Sequence, residues 1–194
     1  PPLPDGWVGI LGVKISFSPV DDGFDLHFAG RLLLRHRLDC PAVATACGAP
    51  EVAMYRGNFR IEDTPTHCTR PAAWMRQGAV ITLASDGQPV AQITLDGAAL
   101  RVEALLPGHD RLWVNFHAEP DETVWGGGEQ MSYLALNGRR FPMWTSEPGV
   151  GRDKSTELTR QMDEAGMAGG DYWNTNYPQP TVLTSRWLAL HLDA

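Results

Sequence analysis

Glu147 lies between Trp144 and Arg152 in the run Phe141-Pro142-Met143-Trp144-Thr145-Ser146-Glu147-Pro148-Gly149-Val150-Gly151-Arg152. An aromatic face, a carboxylate and a guanidinium on a backbone broken by proline and glycine are the mixture that recognises a sugar. The ring stacks on the indole while the charged groups hydrogen-bond to hydroxyls. Taken alone, a Glu and an Arg in one loop also form an ordinary surface ion pair. A further polar group, Gln130, follows Trp125-Gly126-Gly127-Gly128-Glu129. This triple glycine lacks both the Lys-Ser/Thr of a P-loop and the glycine spacing of a dinucleotide fold. Its alternative role is to let a strand pass close to another backbone before turning into a loop.

These groups fall within one stretch, about 126–180, that is interrupted throughout by Gly, Pro and Asn. The stretch is too poor in periodic apolar residues to be core and too rich in Trp and Tyr to be a disordered linker. An ordered loop presenting chemistry is expected.

The elements that hold this loop must come from the rest of the chain, where alternation of period two dominates. Val13-Lys14-Ile15-Ser16-Phe17 and Phe24-Asp25-Leu26-His27-Phe28 flank Asp22-Gly23 and are expected to form a hairpin. Further strands are expected at 80–83, 90–95, 100–105 and 112–116, with tight turns at Asp86-Gly87 and Asp96-Gly97. Helical signals are weak, the best being 156–165. Short strands with Gly, Pro and Asp turns predict an all-β fold, an antiparallel β-sandwich, with 1–194 as a single domain.

Composition excludes several function classes. The 194 residues carry a formal net charge of -7, so no basic stripe supplies the counterion release that drives nucleic-acid binding. No apolar run approaches the roughly 20 residues of a membrane span, and the start, Pro1-Pro2-Leu3-Pro4-Asp5, has no signal-peptide pattern. Neither nucleic acid nor membrane is expected as a partner. Cys40, Cys47 and Cys68 show no Cys-x-x-Cys spacing, and reduced thiols in a cytoplasmic protein are expected. The first residue is not Met, and the chain stops just after the strand-like run Trp187-Leu188-Ala189-Leu190-His191-Leu192; a fragment of a longer protein is expected.

The remaining singles have bland readings. His27, His117 and His191 alternate with apolar neighbours in strands, and His36, His67 and His109 share no metal-ligand spacing, so no metal and no cofactor are expected. Trp7, Trp74, Trp113 and Trp187 are spread singly along the chain and are expected in packing rather than in a sugar-binding platform.

The loop segments together carry a specific pattern. Gly-Glu-Gln-Met-Ser-Tyr at 128–133, Gly-Arg-Arg-Phe-Pro at 138–142, Trp-Thr-Ser-Glu-Pro-Gly-Val-Gly-Arg at 144–152 and Asn-Tyr-Pro-Gln-Pro at 176–180 resemble the amino-terminal domain of glycoside hydrolase family 31. The long form of the loop, with Gly169-Gly170-Asp171-Tyr172, is most similar to the sulfoquinovosidase subgroup, which cleaves α-glycosides of 6-sulfo-quinovose. Phe24-Asp25-Leu26-His27-Phe28 and Met54-Tyr55-Arg56-Gly57-Asn58-Phe59 extend the resemblance over nearly the whole chain.

The resemblance implies a galactose-mutarotase-like β-sandwich followed by a catalytic (β/α)8 barrel that lies beyond residue 194. It implies a retaining mechanism whose two carboxylates, about 5 Å apart, belong to that barrel. No catalytic residue is therefore expected in this chain. The family places an acidic loop residue near the sugar hydroxyls, and Glu147 matches that position; its other reading is a carboxylate bracing the loop. Gln130 would line the mouth. Arg152 would hold Glu147 or approach the substrate, or else pair with Asp153 or Glu157. The implied partners are the barrel and a carbohydrate substrate, an α-sulfoquinovoside or an α-glucoside. A free-standing carbohydrate-binding module is the alternative from another class.

Overall fold

The computed structural model describes residues 13–55, 58–130, 134–139, 155–157, 160–161 and 175–193, with the side chains of 53–61, 130, 175 and 176 outside that description. Among the described residues the structure is almost entirely antiparallel β, and it divides into two compact units. The first contains Pro1–Ala49 and Asp63–Ala118, the second Pro50–Glu62 and Glu119–Ala194.

The first unit opens with β1 (Ile15–Val20), β2 (Gly23–Phe28) and β3 (Arg31–Arg37), which form one three-stranded sheet in sequence order. The expected hairpin exists, but its turn is one residue earlier than the Asp22-Gly23 signal, because Val20 pairs with Gly23 around Asp21 and Asp22. Gly23 is part of the strand for a steric reason. A Cβ there would lie 1.9 Å from the carbonyl oxygen of His36 on β3, so only glycine lets the two strands pair.

A second sheet has the order β11 (Ala99–Ala104), β10 (Gln88–Asp96), β9 (Val80–Ser85), β8 (Ala73–Gln77). Asp86 and Gly87, at φ 51° and 75°, link paired Ser85 and Gln88 in the doubly left-handed conformation that a two-residue hairpin favours. The next turn slips again: Asp96 pairs with Ala99, leaving Gly97 and Ala98 as the turn. A bulge between Pro89 and Ala91 lets consecutive residues Val90 and Ala91 both be buried, breaking the alternation on which the strand was read. The third sheet, β12 (Arg111–Val114), β4 (Val43–Cys47), β7 (Thr66–Thr69), joins strands distant in sequence.

The faces of the first two sheets meet through aromatic rings. Phe24 stacks on Phe17 at 5.4 Å, and Trp74 of β8 meets both, at 5.4 Å and 5.7 Å. Leu26, Leu34, Ile81, Leu83 and Ile93 complete this sandwich core, each fully buried and each stabilising it by about 1.5–3 kcal/mol. His36 also belongs to the core, stacked on Phe24 at 4.9 Å with no solvent exposure.

Asp25 is the one carboxylate buried within this sheet, and Arg37 at 2.8 Å and Arg35 at 3.4 Å meet it. Burial alone would raise its pKa, but the hydrogen bonds and charges of the two guanidinium groups outweigh burial and hold it below the usual carboxylate value.

The second unit holds the hairpin β5 (Glu51–Tyr55) and β6 (Asn58–Glu62). It also holds a three-stranded sheet in the order β13 (Val124–Gly126), β16 (Thr181–Thr184), β17 (Ala189–His191), and the short pair β14 (Glu129–Gln130) and β15 (Thr175–Asn176). The expected helix at 156–165 is represented by a helical turn including Glu157, Arg160 and Gln161, in which Arg160 N–H donates to the Thr156 carbonyl at 3.1 Å. The rest of that stretch lies outside the described residues.

Candidate substrate-side site

The stretch that carries the sugar-recognition pattern belongs to the second unit, and its two ends, at Gln130 and Thr175, are tied to one another. Glu129 pairs with Asn176 and Gln130 with Thr175. One step closer to the sheet, Gly127 N–H donates to the Thr181 carbonyl at 2.8 Å, and Gln179 N–H donates to the Gly127 carbonyl at 3.3 Å. The triple glycine makes this closure possible. Gly126, Gly127 and Gly128 have φ of 114°, 77° and 110°, and a Cβ on Gly126 would lie 2.3 Å from the Thr181 carbonyl oxygen. Gly126 permits the close approach to another backbone, and Gly127 and Gly128 hold the positive φ that follows it.

The three candidate substrate residues stand differently. Gln130 is on β14, at the point where the chain leaves the sheet, and its side chain is outside the described atoms. Glu147 and Arg152 lie outside the described residues. Glu157, one of the alternative partners for Arg152, accepts hydrogen bonds from Arg160 Nε at 2.9 Å and from Gln161 Nε2 at 2.9 Å, which hold its carboxyl below the usual value.

Three features stand near the root. Asn137 bonds through both ends of its side-chain amide: Nδ2 donates to the Glu122 carbonyl at 2.7 Å, and Oδ1 accepts from Val124 N–H at 2.9 Å. Its signal was the Asn-Gly pair at 137–138, a turn dipeptide, and Gly138 has φ 66°. The second feature is Trp187, which is 96% exposed with φ 65° in the β16–β17 turn. Trp74 packs in the core, one of the two places expected for these residues, the other being an inter-domain face. The third is Tyr177, 76% exposed with φ 47°, at the return of the stretch. The turn bearing Trp187 is stitched down by Arg186 on Asp121 at 2.5 Å and by reciprocal bonds between Ser185 and Thr123. Asp121 is held below the usual carboxylate value by that guanidinium.

Among the described residues no group of three or more His, Cys, Asp or Glu is placed to hold a metal ion. Two histidines take local roles, His109 Nδ1 on Thr45 Oγ1 and His191 Nδ1 on Thr181 Oγ1, each at 2.8 Å. Among the described residues no helix is long and apolar enough to cross a membrane. Cys40 and Cys68 are exposed, and they and Cys47 are free thiols.

A search against protein-family models found no match. The fold and sequence nevertheless define the class: the chain is an all-β domain similar over nearly its whole length to part of the glycoside hydrolase family 31 sulfoquinovosidases. Its backbone superposes on a family 31 sulfoquinovosidase from E. rectale, solved in complex with an aza-sugar inhibitor, with a TM-score of 0.77, 37% identity and 92% of this chain covered. Two curated relatives are named sulfoquinovosidase. One, from Agrobacterium fabrum (strain C58), is 52% identical over 181 residues, and one, from Escherichia coli (strain K12), is 35% identical over 197 residues. The alignments cover 92% and 93% of this chain but only 27% and 28% of the relatives, so the chain spans little more than a quarter of their length.

Proposed function

We propose that the chain is the amino-terminal domain of a retaining α-glycosidase that hydrolyses α-sulfoquinovosides. The observation that carries this reading is the 52% identity over 92% of the chain to a relative named sulfoquinovosidase. Residues 1–194 form one domain that supports a catalytic (β/α)8 barrel supplied by the longer protein, and the two catalytic carboxylates reside in that barrel. The described root, where Gly127 meets Thr181 and β14 meets β15, supports a structural and substrate-side role for the stretch between Gln130 and Thr175. Within it, Glu147 hydrogen-bonds sugar hydroxyls, Gln130 lines the mouth of the barrel, and Arg152 orients Glu147 or meets the substrate.

A cytoplasmic location accords with three free thiols, two of them exposed. An α-glucosidase or α-xylosidase of the same family is the second reading, favoured by loop motifs that belong to the family before they belong to the subgroup. The test is hydrolysis by the full-length protein and the 194-residue chain in parallel. Turnover by the full-length protein alone is expected. Turnover by the 194-residue chain contradicts the assignment of catalysis to the barrel. Sugar binding by that chain without any turnover in the longer protein would instead favour a binding module.

A further inference from the structure

The β13 segment satisfies its two edges with different partners. Thr123 faces β16: its N–H donates to Ser185 Oγ at 3.0 Å, and its carbonyl accepts from Ser185 N–H at 2.8 Å. Val124, the next residue, faces the opposite way, as alternate residues of a strand must. Its carbonyl accepts from Leu136 N–H at 2.8 Å, and its N–H donates to Asn137 Oδ1 at 2.9 Å. Asn137 Nδ2 then takes the Glu122 carbonyl at 2.7 Å. The side-chain amide of Asn137 thus replaces a peptide group of a missing neighbouring strand. Leu136, 7% exposed, anchors it from the apolar side.

At neutral pH an Asn or Gln amide offers a donor and an acceptor on one planar group, and the assignment of the amide is fixed because a carbonyl oxygen must receive an N–H. Edge protection alone does not require this device; a lysine or proline blunts an edge equally well. The amide clamp additionally ties residues 136–137, which follow β14, to the strand that leads into the triple glycine.

We infer that Asn137 is a positioning residue, which fixes the root of the substrate-side stretch relative to β13 and so acts on sugar binding without touching the sugar. This rests on the reading of the chain as part of a sulfoquinovosidase. The test uses full-length protein with 4-nitrophenyl α-sulfoquinovoside. Asn137→Ala is expected to raise KM about fivefold to tenfold with kcat within about twofold, the effect of losing one or two hydrogen bonds from a positioning element. Val124 N–H is expected to exchange with solvent deuterium faster in the variant.

Asn137→Asp keeps the acceptor for Val124 but sets a carboxylate against the Glu122 carbonyl. Its KM is therefore raised at neutral pH and recovers as pH falls toward about 4, where the protonated acid can donate; Asn137→Ala shows no recovery. If Asn137→Ala does not fold, the pH dependence of KM in Asn137→Asp decides. Unchanged KM in the variants, with active wild-type protein, overturns the positioning role and leaves the functional reading intact. Absence of sulfoquinovoside hydrolysis in the wild type overturns the reading itself.

Discussion

His36 is the residue whose chemistry is most displaced from its ordinary state. It lies on β3 without solvent exposure, stacked on Phe24, with Nδ1 accepting from Ala42 N–H at 3.3 Å and Nε2 without a partner. Burial, reinforced by the neighbouring Arg37 charge, lowers its pKa from 6.5 to about 4. Between those values the unfolded chain binds a proton that the folded chain refuses, so stability falls as pH is lowered through this window. The loss amounts to about 3 kcal/mol by the lower end. Denaturant unfolding measured from pH 7 to 4 should show this slope, and His36→Leu should flatten it; an identical slope in the variant would contradict the assignment. Asp25, held low by Arg37 and Arg35, adds a further loss as pH falls through its own depressed pKa. Sequence could place His36 near strands but not inside the core, because neither its burial nor Phe24 above it can be deduced from local alternation. Glu147 belongs to the same scale: Glu147→Gln in the full-length protein is expected to lower kcat/KM about tenfold, as loss of a charge-assisted hydrogen bond would. An unchanged value sinks its substrate-binding role.

At the scale of elements, the strands with clear alternation were legible, β12 among them, and long-range pairing was not. β1, β2, β9, β10 and β11 follow the period-two pattern and adjoin chain neighbours. By contrast, the β12–β4–β7 sheet joins residues 111–114 to 43–47 and 66–69 by contacts that no local window contains. Two turns were displaced by one residue, in opposite directions, because the glycine of an Asp-Gly pair meets a different demand at each. At Gly23 the demand is room for the His36 carbonyl, and at Gly97 the demand is a φ of 59° beyond an Asp that still pairs. The same distinction ranks substitutions. Gly87→Ala meets nothing within 4 Å and costs only its left-handed φ, about 1 kcal/mol. Gly126→Ala adds a clash with the Thr181 carbonyl and is expected to cost about 3 kcal/mol or more. Thermal or denaturant unfolding checks the order, and equal effects would contradict the account of the glycine-rich root.

For the whole molecule, the family pattern was legible because it lies in the loop motifs, rich in glycine, proline and aromatic residues. The position of Glu147 and Arg152 relative to a sugar was not, since under the proposed function that geometry depends on a barrel in the longer protein. The 194-residue chain by itself exposes Tyr177 and Trp187 and is expected to associate at high concentration, which light scattering would detect. A monodisperse sample that unfolds cooperatively would contradict this. The most direct measurement is the ratio of kcat/KM for 4-nitrophenyl α-sulfoquinovoside to that for 4-nitrophenyl α-glucoside in the full-length protein. The account predicts a ratio far above one, because an anionic sulfonate and a neutral hydroxymethyl group demand different partners in the pocket. A ratio below one would keep the chain in its family and contradict its assignment to a sulfoquinovosidase.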